Sequence, residues 1–227
     1  MTEKAIIFDA SSLISIAMNG LLEEFKKLKE VFPGKFIITK EVEWEIVKKP
    51  IKIKRFELEA LKLNQLIIDK VLEFPSAFGE NDKDIAEKTQ ELLDLANKTY
   101  QKKNKDIHLI DLGETSCLVF SKMLNDKNIP NVMAIDERTT RMLCESPNNL
   151  KKLLHKKIHA PITYKKENIK YFQGFKIIRS TELMHMAYKK GLTRLKGNKV
   201  LEAILYALKF KGCSITEQEI EEIKRMR

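Results

Sequence analysis

Cysteine is scarce in this chain of 227 residues: Cys117, Cys144 and Cys213 are the only three, with no C-x-x-C spacing. That scarcity excludes a disulfide scaffold and points to a reducing, cytoplasmic compartment. Long apolar runs are missing too. None approaches the ~18 residues of a membrane span, so no membrane partner is expected. The N-terminus passes almost at once into a strand-like run, Ala5–Phe8, so no signal peptide is expected. Internal repeats and low-complexity tracts are absent. Acids are outnumbered, 32 Asp and Glu against 42 Lys and Arg, which leaves a net charge of +10. An excess of this size favours a polyanionic partner such as nucleic acid. The alternative is a Lys/Glu-rich surface of the heat-adapted kind, which 33% charged residues also fit.

What the chain does have is an alternation of short apolar runs with helical patterns. Ala5–Phe8 and Lys35–Ile38 read as strands, as do Val132–Ile135 and Phe175–Ile178. Helices are expected over Ser11–Met18, Leu21–Val31 and, capped by Thr39, Glu41–Lys48, which Pro50 ends. A further helix carries Cys117, Leu118 and Phe120, and the region 200–227 reads as two helices parted by Gly212. The second of these has Thr216 and Glu219 at capping-box spacing. The sum is an α/β chain with a central parallel sheet flanked by helices. Two stretches lie outside a minimal version of that pattern, about 55–106, read as largely helical, and 147–173, rich in Lys and Asn.

Within this frame four acids stand at the ends of apolar runs: Asp9, Glu45, Glu114 and Asp136. Carboxylates beside a core are costly unless compensated, and one shared divalent cation would compensate all four. In an open parallel sheet, ligands bind beyond the carboxyl ends of the strands. Asp9 and Asp136 follow strands directly, and Ser11 is placed to hold a water or to orient Asp9. A hard cation held by such oxygens, Mg²⁺ or Mn²⁺, supports hydrolysis of phosphate esters.

F-D-A-S-S-L-I, E-V-E-W-E-I, D-L-G-E-T-S and A-I-D-E-R-T-T-R, in this order, resemble the acidic motifs of the PIN-domain family, which includes VapC-like prokaryotic toxins and RNA-processing nucleases. The resemblance implies one PIN-like α/β/α domain over 1–227, with insertions at about 55–106 and 147–173 and a C-terminal helical region at about 182–227. It implies a Mg²⁺- or Mn²⁺-dependent endoribonuclease. Asp9, Glu114 and Asp136 would be metal ligands assisted by Asp111, with Glu45 and Ser11 completing the catalytic set. Ser180 or Thr181 would stand at the last polar position of the family. RNA is the implied partner, and the resemblance leaves room for an antitoxin-like protein or a second copy of the chain. The rival is a PIN-like module that binds RNA or protein without cutting.

Each residue also has a plainer explanation. Asp9, Asp111 and Asp136 could cap helices. Glu45 could be a solvated helix position, with Glu41 and Glu43 near enough to blur the assignment. Glu114 could serve the helix dipole. His155 and His159, spaced i, i+4 among lysines, lack a third ligand and read as a basic helix, not a zinc site. Lys102, Lys103 and Lys105, and the cluster Lys151, Lys152, Lys156 and Lys157, could track a phosphate backbone, with Thr181 beside the substrate, or be solvated charge. Tyr164, Tyr171 and Phe172 could stack bases or pin the second insertion to the core.

Overall fold

The computed structural model describes residues 3–226. The chain runs β1 (Ala5–Phe8), α1 (Ala10–Met18), α2 (Leu22–Val31), β2 (Lys35–Ile37) and α3 (Lys40–Glu43), which continues as a π-helical turn, Trp44–Lys48. After α4 (Glu57–Ile68) and α5 (Asp82–Asn97) come β3 (Tyr100–Lys102), β4 (Lys105–Asp106), α6 (Leu112–Asp126) and β5 (Asn131–Ala134). The rest is α7 (Arg138–Glu145), α8 (Pro147–Ile158), β6 (Ile162–Tyr164), α9 (Lys166–Ile169), β7 (Ile177–Ile178), α10 (Ser180–Lys189), α11 (Val200–Phe210) and α12 (Glu217–Arg225).

The main sheet is parallel throughout, in the order β2-β1-β5-β7. Its strands are short apolar runs buried by helices, as a parallel sheet requires. In β1 every residue is buried, and Phe8, Phe25 of α2 and Phe36 of β2 pack edge-on or tilted with centroids 4.9 to 5.0 Å apart. Such contacts add to burial alone. Helix α6 packs against β1 and β5 and carries α5 on it. The chain leaves β1 for β2 on one side and reaches β5 on the other. The order therefore reverses between β1 and β5, and the crevice between their carboxyl ends is where this architecture places ligands. No helix among the described residues is long and apolar enough to cross a membrane.

The two stretches outside the minimal pattern are joined. Strands β3 and β4 from the first and β6 from the second form a small antiparallel sheet, β4-β3-β6. The expectation that 55–106 is largely helical thus fails at its end. Lys103 and Asn104 take left-handed conformations, φ 47° and 63°, and turn β3 into β4 as a tight hairpin. Tyr164 stacks on Tyr100 at 5.1 Å, and the Tyr100 hydroxyl donates to Pro147 O at 2.8 Å. Phe172 is fully buried. Tyr164 and Phe172 pin the insertion to the core, while Tyr171 stays exposed beside Lys122 and Lys170. The side chain of Asn97, the last residue of α5, ties that helix to the segment leading into α6, accepting from Leu109 N–H at 2.6 Å and donating to Ile110 O at 3.2 Å.

Candidate active site

Asp9 directly follows β1 and caps α1, accepting from Ser11 N–H at 3.0 Å through Oδ2. The Ser11 hydroxyl donates to the same oxygen and accepts from Asp136 N–H at 3.1 Å. One serine therefore ties the end of β1 to the residue beyond β5. Ser12 adds a second tie, donating to Ala134 O at 2.9 Å. Asp9 is a cap and remains a candidate site residue. Its Oδ2 takes the capping bonds, while Oδ1 is buried with no partner. A bare carboxylate oxygen in that position is costly.

Asp136 is fully buried. Ser180, the first residue of α10, donates its N–H to Oδ1 at 2.7 Å and its hydroxyl to Oδ2 at 2.6 Å. The neighbouring Thr181 is buried as well, and its hydroxyl donates to Glu182 at 3.0 Å. Ser180, not Thr181, thus orients the aspartate, and Thr181 presents no surface to a macromolecule. Ser214 N–H, from the turn between α11 and α12, donates to Asp136 O at 3.2 Å and holds the same loop from behind.

Glu45 stands in the π-helical turn, where Lys49 N–H bonds to Trp44 O across five residues at 2.9 Å. Such a turn re-aims side chains and is frequent at functional sites. The three neighbouring acids separate cleanly. Glu43 pairs with Lys40 and Lys48, each at 3.1 Å. Glu41 has one buried oxygen without a partner. Glu45 reaches α6 and accepts from Gly113 N–H at 3.1 Å. A Cβ on Gly113 would come within 2.7 Å of Glu45 Oε1, so glycine is what admits the carboxylate. A chain of hydroxyls secures the approach: Ser116 donates to Gly113 O at 2.6 Å and lies 2.6 Å from Thr39, the cap of α3.

Glu114 accepts from Asp111 N–H at 2.9 Å at the start of α6. Asp111 itself is exposed, with its carboxylate 2.7 Å from His108 Nε2. Glu137, beside Asp136, caps α7 by accepting from Thr140 N–H at 2.9 Å.

The electrostatics join these separate segments. Burial, and then the charge of Asp9, push Glu114 up to about 8. Burial, Asp9 and then Asp111 push Glu45 up to about 7. Asp9 is raised by burial, with a smaller contribution from Asp136, and Asp136 is raised by burial against the bonds from Ser180. Beneath them the buried Cys117 thiol is pushed up by burial and by Asp9, Glu45, Glu114 and Glu41 together. Among the described residues no three His, Cys, Asp or Glu side chains form a ready-made metal cage. The donors that would suit a hard cation are all oxygens, with Asp9 Oδ1 unpartnered among them.

The remaining expected residues lie elsewhere. Lys151, Lys152, Lys156 and Lys157 are exposed on α8. His159 ends that helix in a left-handed conformation, φ 53°, and His155 bonds Ala160 O at 2.8 Å, so the two do not form a metal pair. The roles of Gly113 and His108 are not apparent from sequence alone, whereas Ser180 is one of two candidates for the last polar position. For Gly113 the signal is the G-E step of the third motif; for His108 its three-residue spacing from Asp111 is the only hint. Compared with models of known families, with curated proteins and with solved structures, the chain matches none.

Proposed function

We propose that this chain is a PIN-like endoribonuclease that depends on Mg²⁺ or Mn²⁺. One observation carries the reading: Asp9, Glu45, Glu114 and Asp136 come from four separate segments, and all four carboxyls stand above their ordinary pKa, first through burial, with the charge of Asp9 adding to Glu45 and Glu114 and that of Asp136 adding to Asp9. Acids arranged in this way repel when ionised, and a divalent cation relieves them. Asp9, Glu114 and Asp136 would hold the ion, with Glu45 and Asp111 beside them. When bound, it neutralises charge building on a phosphoryl oxygen and makes a neighbouring water more acidic.

The chain's own residues prepare that chemistry. Ser11 fixes one oxygen of Asp9 and the backbone of Asp136, so the two strand-end carboxyls keep a set spacing. Ser180 locks the Asp136 rotamer. Raised to about 7 and standing beside the three ligands, Glu45 exchanges a proton near neutral pH, the range in which a general acid or base works best. The exposed lysines of α8 and of the β3–β4 hairpin supply positive charge for the phosphate backbone.

The test is incubation of purified protein with mixed cellular RNA, with Mn²⁺ and with chelator, beside an Asp136→Asn variant. Internal cutting that needs the ion and vanishes in the variant is expected. Cutting by Asp136→Asn at the wild-type rate would overturn the assignment.

A further inference from the structure

Trp44 is the chain's only tryptophan, and it stands 52% exposed one residue before Glu45. It forms one wall of a groove of about 780 Å³, whose other walls include Met18, Ile53, Phe56 and Leu63. Glu45 and Asp111 line the same groove, so it opens onto the acidic site. Trp44, Ile53, Phe56 and Met18 all leave large apolar side chains in water, a cost that marks a contact surface. Cations flank the rings. Lys52 Nζ lies 5.8 Å from the Trp44 ring, the Arg55 guanidinium lies 5.4 Å from the Phe56 ring, and Lys49 adds a third positive charge to the wall. Glu59 is the one lining acid outside the site.

Aromatic faces interleaved with cations are what an unpaired nucleic-acid strand uses, since every base has a face to stack and every link a phosphate to neutralise. Duplex RNA keeps its bases stacked inside and cannot offer one. The volume suits a small planar group, within the ~300–1,000 Å³ of ligand pockets. We infer that this groove is a subsite for one unpaired base of an RNA strand, next to the phosphate presented to the acids. The inference rests on the nuclease reading, and it assigns the stacking of that base to the Trp44 ring.

Because Trp44 has no other tryptophan to mask it, its fluorescence reports the groove directly. The probe is a short 2′-O-methyl oligonucleotide, added in chelator so that nothing is cut. Saturable quenching is expected, with little from an abasic strand of the same length or from a duplex of the same sequence. Binding of the labelled strand should weaken about tenfold in Trp44→Leu and recover in Trp44→Phe. Equal quenching by the abasic strand, unchanged binding by Trp44→Leu, or quenching only by an apolar helical peptide would overturn the subsite. The two readings fail separately. An Asp136→Asn protein that still quenches upholds the subsite even if no cutting is ever found, whereas a wild-type protein that cuts RNA without any response from Trp44 overturns the subsite alone.

Discussion

Replacing Glu114 by Gln should stabilise the metal-free protein at pH 8 and leave it nearly unchanged at pH 5. Burial and the charge of Asp9 raise this carboxyl from 4.5 to about 8. Between those values the folded chain holds a proton that the unfolded chain has released, so stability falls as pH rises through the window. The loss is complete above about pH 8 and absent below about pH 4.5. One pKa unit corresponds to about 1.4 kcal/mol, which puts the full effect on the order of 5 kcal/mol. Gln keeps an acceptor for Asp111 N–H, now at 2.9 Å, and the carboxyl it replaces is only half-buried, so water screens part of the effect. The net gain should therefore be nearer 2 kcal/mol, roughly 4–8 °C in melting temperature for a chain of this size. Glu45, raised to about 7, adds a slope of the same sign, smaller because it is more open to water. Melting curves of both proteins in chelator from pH 5 to pH 9 give the answer. Parallel curves, or a variant less stable at every pH, would refute the reasoning.

Three further outcomes are expected. Gly113→Ala would set a methyl 2.7 Å from Glu45 Oε1 and displace that carboxylate, so RNA cutting should fall about tenfold or more while the melting temperature moves by only a few degrees; activity and denaturation assays on one preparation separate the two effects. Ser180→Ala removes the hydroxyl that bonds Asp136 Oδ2 at 2.6 Å and should cost about 1–3 kcal/mol in denaturant unfolding, together with weaker Mn²⁺ binding. Reversing Lys151, Lys152, Lys156 and Lys157 to Glu should weaken binding of long RNA and flatten the slope of log affinity against log salt by about 0.7 for each phosphate left without a cation, with the mass in solution unchanged. Normal RNA binding with a changed mass would instead make α8 an assembly element.

The parallel sheet was legible because a buried strand is a short apolar run closed by a polar residue, and β1, β2 and β5 each fit that description. The strand-end positions of Asp9 and Asp136 followed from the same signal. The last strand is shorter than its apolar run, Ile177–Ile178 in place of Phe175–Ile178, because it lies at the sheet edge and pairs only with β5. The β3–β4 hairpin was hidden: its strands are two or three residues long and polar, and Lys103-Asn104 reads as charge unless its left-handed turn is seen. Contacts between distant segments were beyond reach for a different reason. Glu45 and Gly113 are 68 residues apart, and Asp136 and Ser180 are 44 apart; neither spacing carries a periodic signal. Composition left the aromatics of the second insertion open between base contacts and packing against the core, and Tyr164 and Phe172 are spent on packing. The exposed ring beside the acids belongs instead to Trp44, inside the second motif.

The gathering of acids for a divalent cation is tested most directly by titrating the metal-free protein with Mn²⁺ in a pH-stat, with the free ion followed by electron paramagnetic resonance. At pH 6.5 Glu45 and Glu114, raised to about 7 and 8, are largely protonated, and a carboxylate must lose its proton to bind the ion. Saturable binding with release of about one proton or more per ion is expected at pH 6.5, the proton release falling toward none at pH 9, and saturable binding should disappear in Asp9→Asn. Absence of saturable binding, or binding without proton release at pH 6.5, would contradict it.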